Sequence, residues 1–197
     1  MMYGLRVSVD PTAEPISLEE TKLYLRVDHS EDDALILGLI AAARQYCEAV
    51  TKRSFTTQTL QMYSDRFPDT DTINVPRPFY STTDVTVSYY TSGSTSATTF
   101  AASNYWVDDS VEPGRIVLRD ASEWPTSDLR SAKGVEVTFR SGYGGQPDVP
   151  DGIKIAMKSL IGHWYTNREA VVVGTISASL EMAVTALLSP HMSPFIA

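Results

Sequence analysis

The chain has 197 residues, of which 43% are hydrophobic and 20% charged, and its formal net charge at neutral pH is −8. This length predicts one domain, or one domain with a large insertion, and the apolar content excludes disorder of the whole chain. The single cysteine, Cys47, excludes a disulfide scaffold. The acidic balance disfavours a protein whose main task is to grip nucleic-acid phosphates or an anionic membrane.

The N-terminal residues show no signal for secretion or membrane insertion. The opening sequence MMYGLR has no charged start followed by an apolar run, so no signal peptide is predicted. The longest charge-free apolar stretch nearby covers residues 34–43, whereas a membrane-spanning helix needs about 20 such residues. We therefore expect a cytosolic protein, or one assembled in the cytosol, with no membrane association.

Residues 1–57 are predicted to form an N-terminal helical part. Ser17-Leu18-Glu19-Glu20 has the pattern of a capping box, in which the serine oxygen accepts from the Glu20 amide and the Glu20 carboxylate reaches back. A second helix is predicted over 31–51, because apolar residues recur there in two adjacent stripes at helical spacing. Two adjacent stripes indicate a wide buried face.

Residues 58–145 are predicted to form a β-rich insertion, because β-branched and aromatic residues dominate there and Pro and Gly punctuate them. Residues 85–89 alternate apolar and hydroxyl side chains, as a sheet with one buried face requires. We expect strands over 58–64, 72–75, 84–90, 105–108, 115–118 and 135–140.

Residues 146–197 return to helical spacing. One helix is predicted to open at Pro150 and Asp151 and to end near Arg168, and a short amphipathic helix over 180–188 is closed by Pro190. We expect the helices of 1–57 and 146–197 to pack together as one α core. The predicted fold class is therefore α+β, a helical bundle from the N- and C-terminal segments with a large antiparallel β insertion.

The sequence offers no motif for a cofactor, a metal ion or a catalytic nucleophile. The glycine-rich segment 142–145 lacks the Lys-Ser/Thr of a phosphate-binding loop. His29, His163 and His191 do not have the spacing of metal ligands. Cys47 lies at an apolar position of a predicted helix, where a buried, unreactive thiol is the usual case. We predict no cofactor, no metal ion, no catalytic residue and no enzymatic activity.

Acidic loops and aromatic side chains leave two other functions open. Asp108, Asp109 and Glu112 could serve acid–base chemistry in a hydrolase, although neighbouring loop carboxylates are usually solvated turn formers. Aromatic residues could instead form a surface that binds a glycan or a protein, although such residues more often belong to a core and its edges. The aromatic candidates are Tyr89, Tyr90, Tyr105, Trp106, Trp124 and Tyr143.

Residues 171–197 contain Glu181 as their only Asp, Glu, Lys or Arg. Such a neutral, apolar segment is a liability when exposed, so it either folds back on the helical core or docks on another subunit or partner. We expect it to be loosely ordered in the free protein and fixed in an assembly. The predicted partner interface consists of Val171, Val172, Val173, Leu180, Val184, Leu187, Leu188, Pro190 and Phe195.

The chain resembles the head–tail connector (adaptor, or head-completion) proteins of tailed phages and gene transfer agents. The resemblance covers nearly the whole chain in order. The pieces that carry it are ISLEETKLYLRVD at 16–28, DDALI at 32–36, AAARQY at 41–46, TKR at 51–53, PGRI at 113–116, VTFRSGYG at 137–144, VP at 149–150, HWYTNRE at 163–169 and ALLSP at 186–190.

This resemblance implies a structural virion protein without catalytic residues. It implies a ring, typically of twelve copies, which lies beneath the portal protein, joins it to a stopper or tail-completion protein, and lines the DNA exit channel. The implied location is the virion neck, and the host cytoplasm during assembly. An acidic ring fits that role, because like charge lets DNA pass without specific binding, and a ring needs head-to-tail interfaces. The alternative is a β-rich surface-binding module of a phage particle.

Overall fold

The computed structural model describes residues 3–112, 114–125, 128–167 and 178–194. The chain divides into two units. The helical unit consists of Thr12–Thr56 and Tyr143–Met192, and the β unit consists of Met1–Pro11, Thr57–Gly142 and Ser193–Ala197. The fold class is α+β with antiparallel sheets, as predicted.

The described helices of the helical unit are α1 (Leu18–Leu25), α2 (Asp33–Thr51), α3 (Asp151–Thr166) and α4 (Ala178–Leu188). Half of the predicted capping box is present, since Ser17 Oγ accepts from the Glu20 amide at 3.0 Å. The Glu20 carboxylate instead accepts from Lys158 Nζ of α3 at 2.8 Å. The Glu20 side chain thus ties α1 to α3.

The core of the helical unit lies between α2, α3 and α4. Of the two stripes predicted for α2, one faces this core and is buried. In the other stripe Leu35 and Ala42 are exposed and Leu39, Tyr46 and Val50 are half-buried, so the buried face is narrower than predicted. The buried members are Ile36, Ile40, Ala43 and Cys47 of α2, Ile153, Ala156, Met157, Leu160 and Ile161 of α3, and Val184 and Leu188 of α4, with Ile16, Phe55 and Val149 from the connections.

A polar staple joins α2 to the loops on either side of it. Arg44 Nε donates to Glu14 Oε2 at 2.8 Å, and its NH1 donates to Glu48 Oε2 at 3.3 Å. The second oxygen of Glu48 accepts from the Phe55 amide at 2.7 Å. Although α2 is long and apolar enough to cross a membrane by length and composition, this staple and its buried face make it the central helix of the unit.

The β unit contains two antiparallel sheets within the described residues. The strands are β1 (Gly4–Val9), β2 (Gln58–Ser64), β3 (Thr72–Asn74), β4 (Thr86–Tyr89), β5 (Thr98–Phe100), β6 (Tyr105–Asp108), β7 (Arg115–Leu118) and β8 (Val135–Ser141). The five-stranded sheet has the order β1-β2-β8-β4-β5, and the three-stranded sheet has the order β3-β7-β6.

Alternation along the central strands builds the core of the β unit. In β2 and β8 every second residue is buried, and the register places Leu60 opposite Phe139 and Met62 opposite Val137. A group of stacked aromatic rings extends this core, in which Phe67 and Trp124 lie 5.0 Å apart and nearly parallel. The Trp124 indole N–H donates to the Thr70 carbonyl at 2.9 Å, which satisfies its polar atom.

Two strands in the described part of the chain have no predicted counterpart. The sequence pattern predicts a helical part over 1–57, whereas Gly4–Val9 forms β1 and pairs with β2. Thr98–Phe100 forms β5, which pairs with β4. Both strands lie at edges of the five-stranded sheet.

Candidate assembly surfaces

The predicted partner interface is divided by the structure. Val184 and Leu188 are 4% and 0% exposed and lie in the core of the helical unit. Leu180 and Leu187 are half-buried against the same core. Pro190 is exposed. The remaining members, Val171, Val172, Val173 and Phe195, lie outside the described residues.

The described helix of this segment therefore folds back on its own chain, which was one of the two alternatives left open. Ala178–Leu188 is a packed helix, in which Val184 and Leu188 are buried. Loose ordering of the whole segment in the free protein stays a prediction. Residues 171–177 lie outside the described part of the chain.

The turn that follows α4 adds polar and aromatic contacts to this packing. Arg53 Nε donates to the carbonyl of His191 at 2.7 Å, and the His191 ring meets the Tyr143 ring edge-on at 6.4 Å. Burial, followed by the nearby Arg53 charge, lowers the pKa of His191. These contacts hold the turn Ser189–His191 against the helical unit.

The outward side of α4 is not covered by any described part of the chain. Met182 is 72% exposed, and Ala183, Thr185 and Ala186 are exposed beside it. Glu181 is also exposed and is the only charged residue of the helix. Apart from this one carboxylate the side is small and mostly apolar, which suits contact with another protein better than contact with water.

The other helices also expose apolar side chains. Leu23 of α1 is 81% exposed and its neighbour Tyr24 is 50% exposed. Leu37 of α2 and Ile155 of α3 are about half exposed, at 51% and 47%. Single exposed apolar residues are common on protein surfaces, but here each described helix of the unit has one.

The outward face of the five-stranded sheet carries a hydrogen-bonded network around Glu136. Its two oxygens accept from Gln61 Nε2 and from Tyr90 Oη, each at 3.0 Å, and Tyr63 Oη donates to Gln61 Oε1 at 2.8 Å. The hydrogen bond to Glu136, more than burial, raises the pKa of Tyr90. The guanidinium of Arg130 lies 3.8 Å from the centre of the Tyr90 ring. The face is polar and internally satisfied.

The aromatic candidates belong mostly to the cores. Tyr105 and Trp124 are buried, and Tyr89 packs against the same core; Tyr143 packs against the core of the helical unit. Trp106 differs, because it is 58% exposed and lies under the Arg119 guanidinium at 3.6 Å. A single stacked Trp–Arg pair is a common surface contact and makes no binding cleft.

Among the acidic candidates, Asp109 and Glu112 are exposed, and Asp108 forms turn and ion-pair contacts. Asp108 accepts from the Ser110 hydroxyl and backbone amide and pairs with Arg115 Nε at 2.8 Å. Hydrogen bonds from Ser110, and then from Arg115, lower the pKa of Asp108 to about 2. A general acid needs a raised pKa, so this carboxylate is tuned in the opposite direction.

Metal and thiol chemistry find no support in the geometry. In the described ranges, no three His, Cys, Asp or Glu side chains form a group that could hold a metal ion. Cys47 is fully buried, and burial, with a contribution from Glu48, raises the pKa of its thiol to about 12. It is a packing residue, as the sequence indicated.

Strand β1 is the surface that sequence reasoning missed. All six of its residues are exposed, and Leu5, Val7 and Val9 are 37%, 42% and 57% exposed. The alternation of apolar and polar residues over 5–9 was the available signal.

Comparisons with known proteins give the chain a family. The family model described as "Head completion protein" matches residues 14–193. Among curated proteins, none matches the chain.

Solved structures of gene transfer agent (GTA) particles share the fold. A chain of a structure described as "Neck of empty GTA particle computed with C6 symmetry" matches with a TM-score of 0.78 and 20% identity, covering 100% of this chain and 98% of that one. A chain from a native GTA virion matches with a TM-score of 0.78, 17% identity and coverages of 98% and 97%. A chain from the neck of a native GTA particle computed with C12 symmetry matches with a TM-score of 0.75, 19% identity and coverages of 100% and 98%.

These likenesses are of fold, whereas the family match extends over most of the sequence. Because it spans residues 14–193, the chain belongs to the head completion protein family, a family of structural head–tail connector proteins.

Proposed function

We propose that this chain forms a closed ring of identical copies, twelve in the full assembly, beneath the portal protein at the virion neck. The ring joins the portal to a stopper or tail-completion protein. The observation that carries this proposal is the family match over residues 14–193, and the likeness to chains of particle necks with six- and twelve-fold symmetry supports it.

The distribution of exposed apolar residues fits a subunit with several neighbours. A closed ring of one chain needs two different surfaces on every copy, and a connector needs further surfaces above and below. The helical unit exposes Leu23, Leu37, Ile155 and Met182 on its different helices. These positions are the candidates for contact with portal and stopper, because an assembly would cover apolar side chains that the free chain leaves in water.

Charge fits a passage for DNA. The formal net charge of −8 on each copy sums to a strongly negative ring, which repels phosphates and so disfavours adhesion of the moving duplex. Under this proposal DNA passes without specific binding. The protein is folded in the host cytoplasm and becomes part of the virion neck on assembly. The alternative, a surface-binding module, has no comparable support from the exposed aromatics.

The experiment that tests this function is assembly of particles with and without the chain. Without it, we expect heads and tails that remain separate in negative-stain images, and addition of the purified chain should restore joined particles. Met182→Lys, which alters an exposed residue of α4, should lower the joined fraction while leaving the melting temperature of the chain unchanged. Joined particles in normal numbers without the chain would overturn the proposal.

Point variants are required for this experiment. Deletion of 171–197 would also remove Val184 and Leu188, which are core residues of the helical unit, and would confuse loss of a contact with loss of the fold.

A further inference from the structure

Strand β1 is an open edge with apolar side chains. It pairs with β2 on one side, and among the described residues no strand lies along its other side. An edge strand offers unpaired backbone N–H and C=O groups to any extended segment that approaches. All six residues of β1 are exposed, so no described part of the chain covers this strand.

The register shows which side of the sheet its apolar residues occupy. Leu5 lies opposite Met62 and Val7 lies opposite Leu60, and both partners are buried in the core of the β unit. Residues directly opposite each other share one face of a sheet. Leu5 and Val7 therefore lie on the same face of the sheet as the buried core residues, but they are themselves 37% and 42% exposed.

The other residues of β1 lie on the opposite face. Arg6 lies opposite Gln61 and donates to its Oε1 at 2.8 Å. A bulge between Val7 and Val9 changes the register, so that Val9 lies opposite Thr59, on the outward face with Gln61. Val7 and Val9 are thus the same residue type on one strand but on different faces.

Charged and proline blocks are absent from the edges of this sheet. Natural proteins protect edge strands with Pro, Lys, inward-pointing charges, β-bulges or very short strands. Residues 4–9 contain no Pro or Lys and have Arg6 as their only charge, which bonds to Gln61 of β2, and the bulge in β1 begins only after Val7. The opposite edge, β5, has three residues and lies within residues 91–107, which contain no charged residue. The two edges therefore differ in sequence and length, and Gly4–Val7 is the longer regular stretch.

We propose that β1 is a subunit contact, covered in the assembled ring by an extended segment of a neighbouring copy that packs on Leu5 and Val7. The inference rests on the proposed ring. A head-to-tail interface joins two different surfaces of one chain, and a sheet with two different open edges supplies such a pair. The segment precedes the residues that match the family model, 14–193, so this contact belongs to the part of the chain outside that match.

Assembly of two matched variants tests the apolar half of the contact. Val7→Lys places a charge on the covered face, and Val9→Lys makes the same change on the outward face. We expect Val7→Lys to weaken ring formation about tenfold or more and Val9→Lys to leave it within about twofold, measured by mass photometry with and without the cognate portal. Far-ultraviolet circular dichroism and melting temperature verify that both variants fold. Equal effects of the two folded variants would overturn the inference.

A photo-cross-linker identifies the occupant. Val7→Cys is labelled with benzophenone maleimide, and native Cys47 stays unlabelled because it is fully buried. Irradiation of the assembly should give a product of two copies of this chain. Cross-linking to portal or stopper instead overturns this inference but not the proposed ring. The same conclusion follows if no cross-link forms and the unlabelled Val7→Cys thiol reacts with maleimide as fast in the assembly as in the monomer. A wild-type chain that forms no ring, alone or on the portal, overturns the proposed function and this inference with it.

Discussion

Leu188→Ala tests whether α4 is docked in the free chain. Leu188 is 0% exposed in the core of the helical unit, and removal of a fully buried leucine side chain costs about 2–5 kcal/mol. An isolated helix as short as α4, with 11 residues, is unstable in water. Its order therefore depends on docking.

The magnitude of the docking energy decides what is observed. Val184 and Leu188 are the buried side chains among those described for α4, and at about 1.5–3 kcal/mol each they contribute about 3–6 kcal/mol to docking. The loss expected from Leu188→Ala is of the same size. We therefore expect α4 to undock locally, before the helical unit unfolds.

Hydrogen exchange read by mass spectrometry distinguishes local from global loss. In Leu188→Ala the α4 amides should lose protection by about 30-fold or more, since each 1.4 kcal/mol is a factor of ten, while amides of α2 and α3 change less. The matched control is Met182→Ala on the exposed side of α4, which should change stability by less than about 0.5 kcal/mol. Wild-type α4 amides that exchange at the unfolded rate, or equal effects of the two variants, would refute the docked structure.

Three further predictions concern buried and titrating groups. Glu48→Gln should lower the free energy of unfolding by about 1–3 kcal/mol in urea titrations, because it removes one charged partner of Arg44 while Glu14 stays paired with that guanidinium; no measurable loss would contradict the staple. Cys47 should resist thiol reagents until the protein unfolds, and because its pKa is raised to about 12 from an ordinary 9.0, its contribution to stability is present below about pH 9 and lost as pH rises toward 12; rapid modification of the native protein would show that it is not buried. The Asp108 carboxyl should titrate near pH 2 by NMR, so that its contribution to stability is present above about pH 4 and lost as pH falls toward 2, and Arg115→Ala should raise this pKa; an unchanged value in the variant would exclude the ion pair as a cause.

The sequence predicted best those helices and strands in which apolar residues recur with a clear period and turn residues mark the ends. The strands at Gln58–Ser64, Tyr105–Asp108 and Arg115–Leu118 have the predicted bounds, because alternation and flanking turn residues specify both type and length. Helix α2 begins two residues after its predicted start and ends where predicted. Here the apolar stripe decides the assignment.

Elements that depend on distant pairing were not predictable in the same way. Strand β1 is stable because β2 lies beside it, about fifty residues along the chain, and β5 has only three residues. The alternation over 5–9 was a usable signal that a strand could form there, whereas three residues are too few for β5 to show a pattern of its own. The second half of the capping box failed for the same reason, because Lys158 competes for Glu20 from α3.

The predicted partner interface also depended partly on local pattern and partly on distant contacts. The sequence identified the neutral apolar helix over 180–188, but its composition is equally compatible with a core and with an interface. The structure assigns Val184 and Leu188 to the core and leaves Met182 outside. Which side of an amphipathic helix meets its own chain depends on the opposing side chains of α2 and α3, and these cannot be read from the helix itself.

The most direct test of the central claim is mass photometry with negative-stain imaging of the purified chain, alone and mixed with its cognate portal. The account predicts a ring-shaped layer added to the portal, with a mass increase that corresponds to twelve copies of the 21.7 kDa chain. A chain that stays monomeric and leaves the mass and image of the portal unchanged would contradict it.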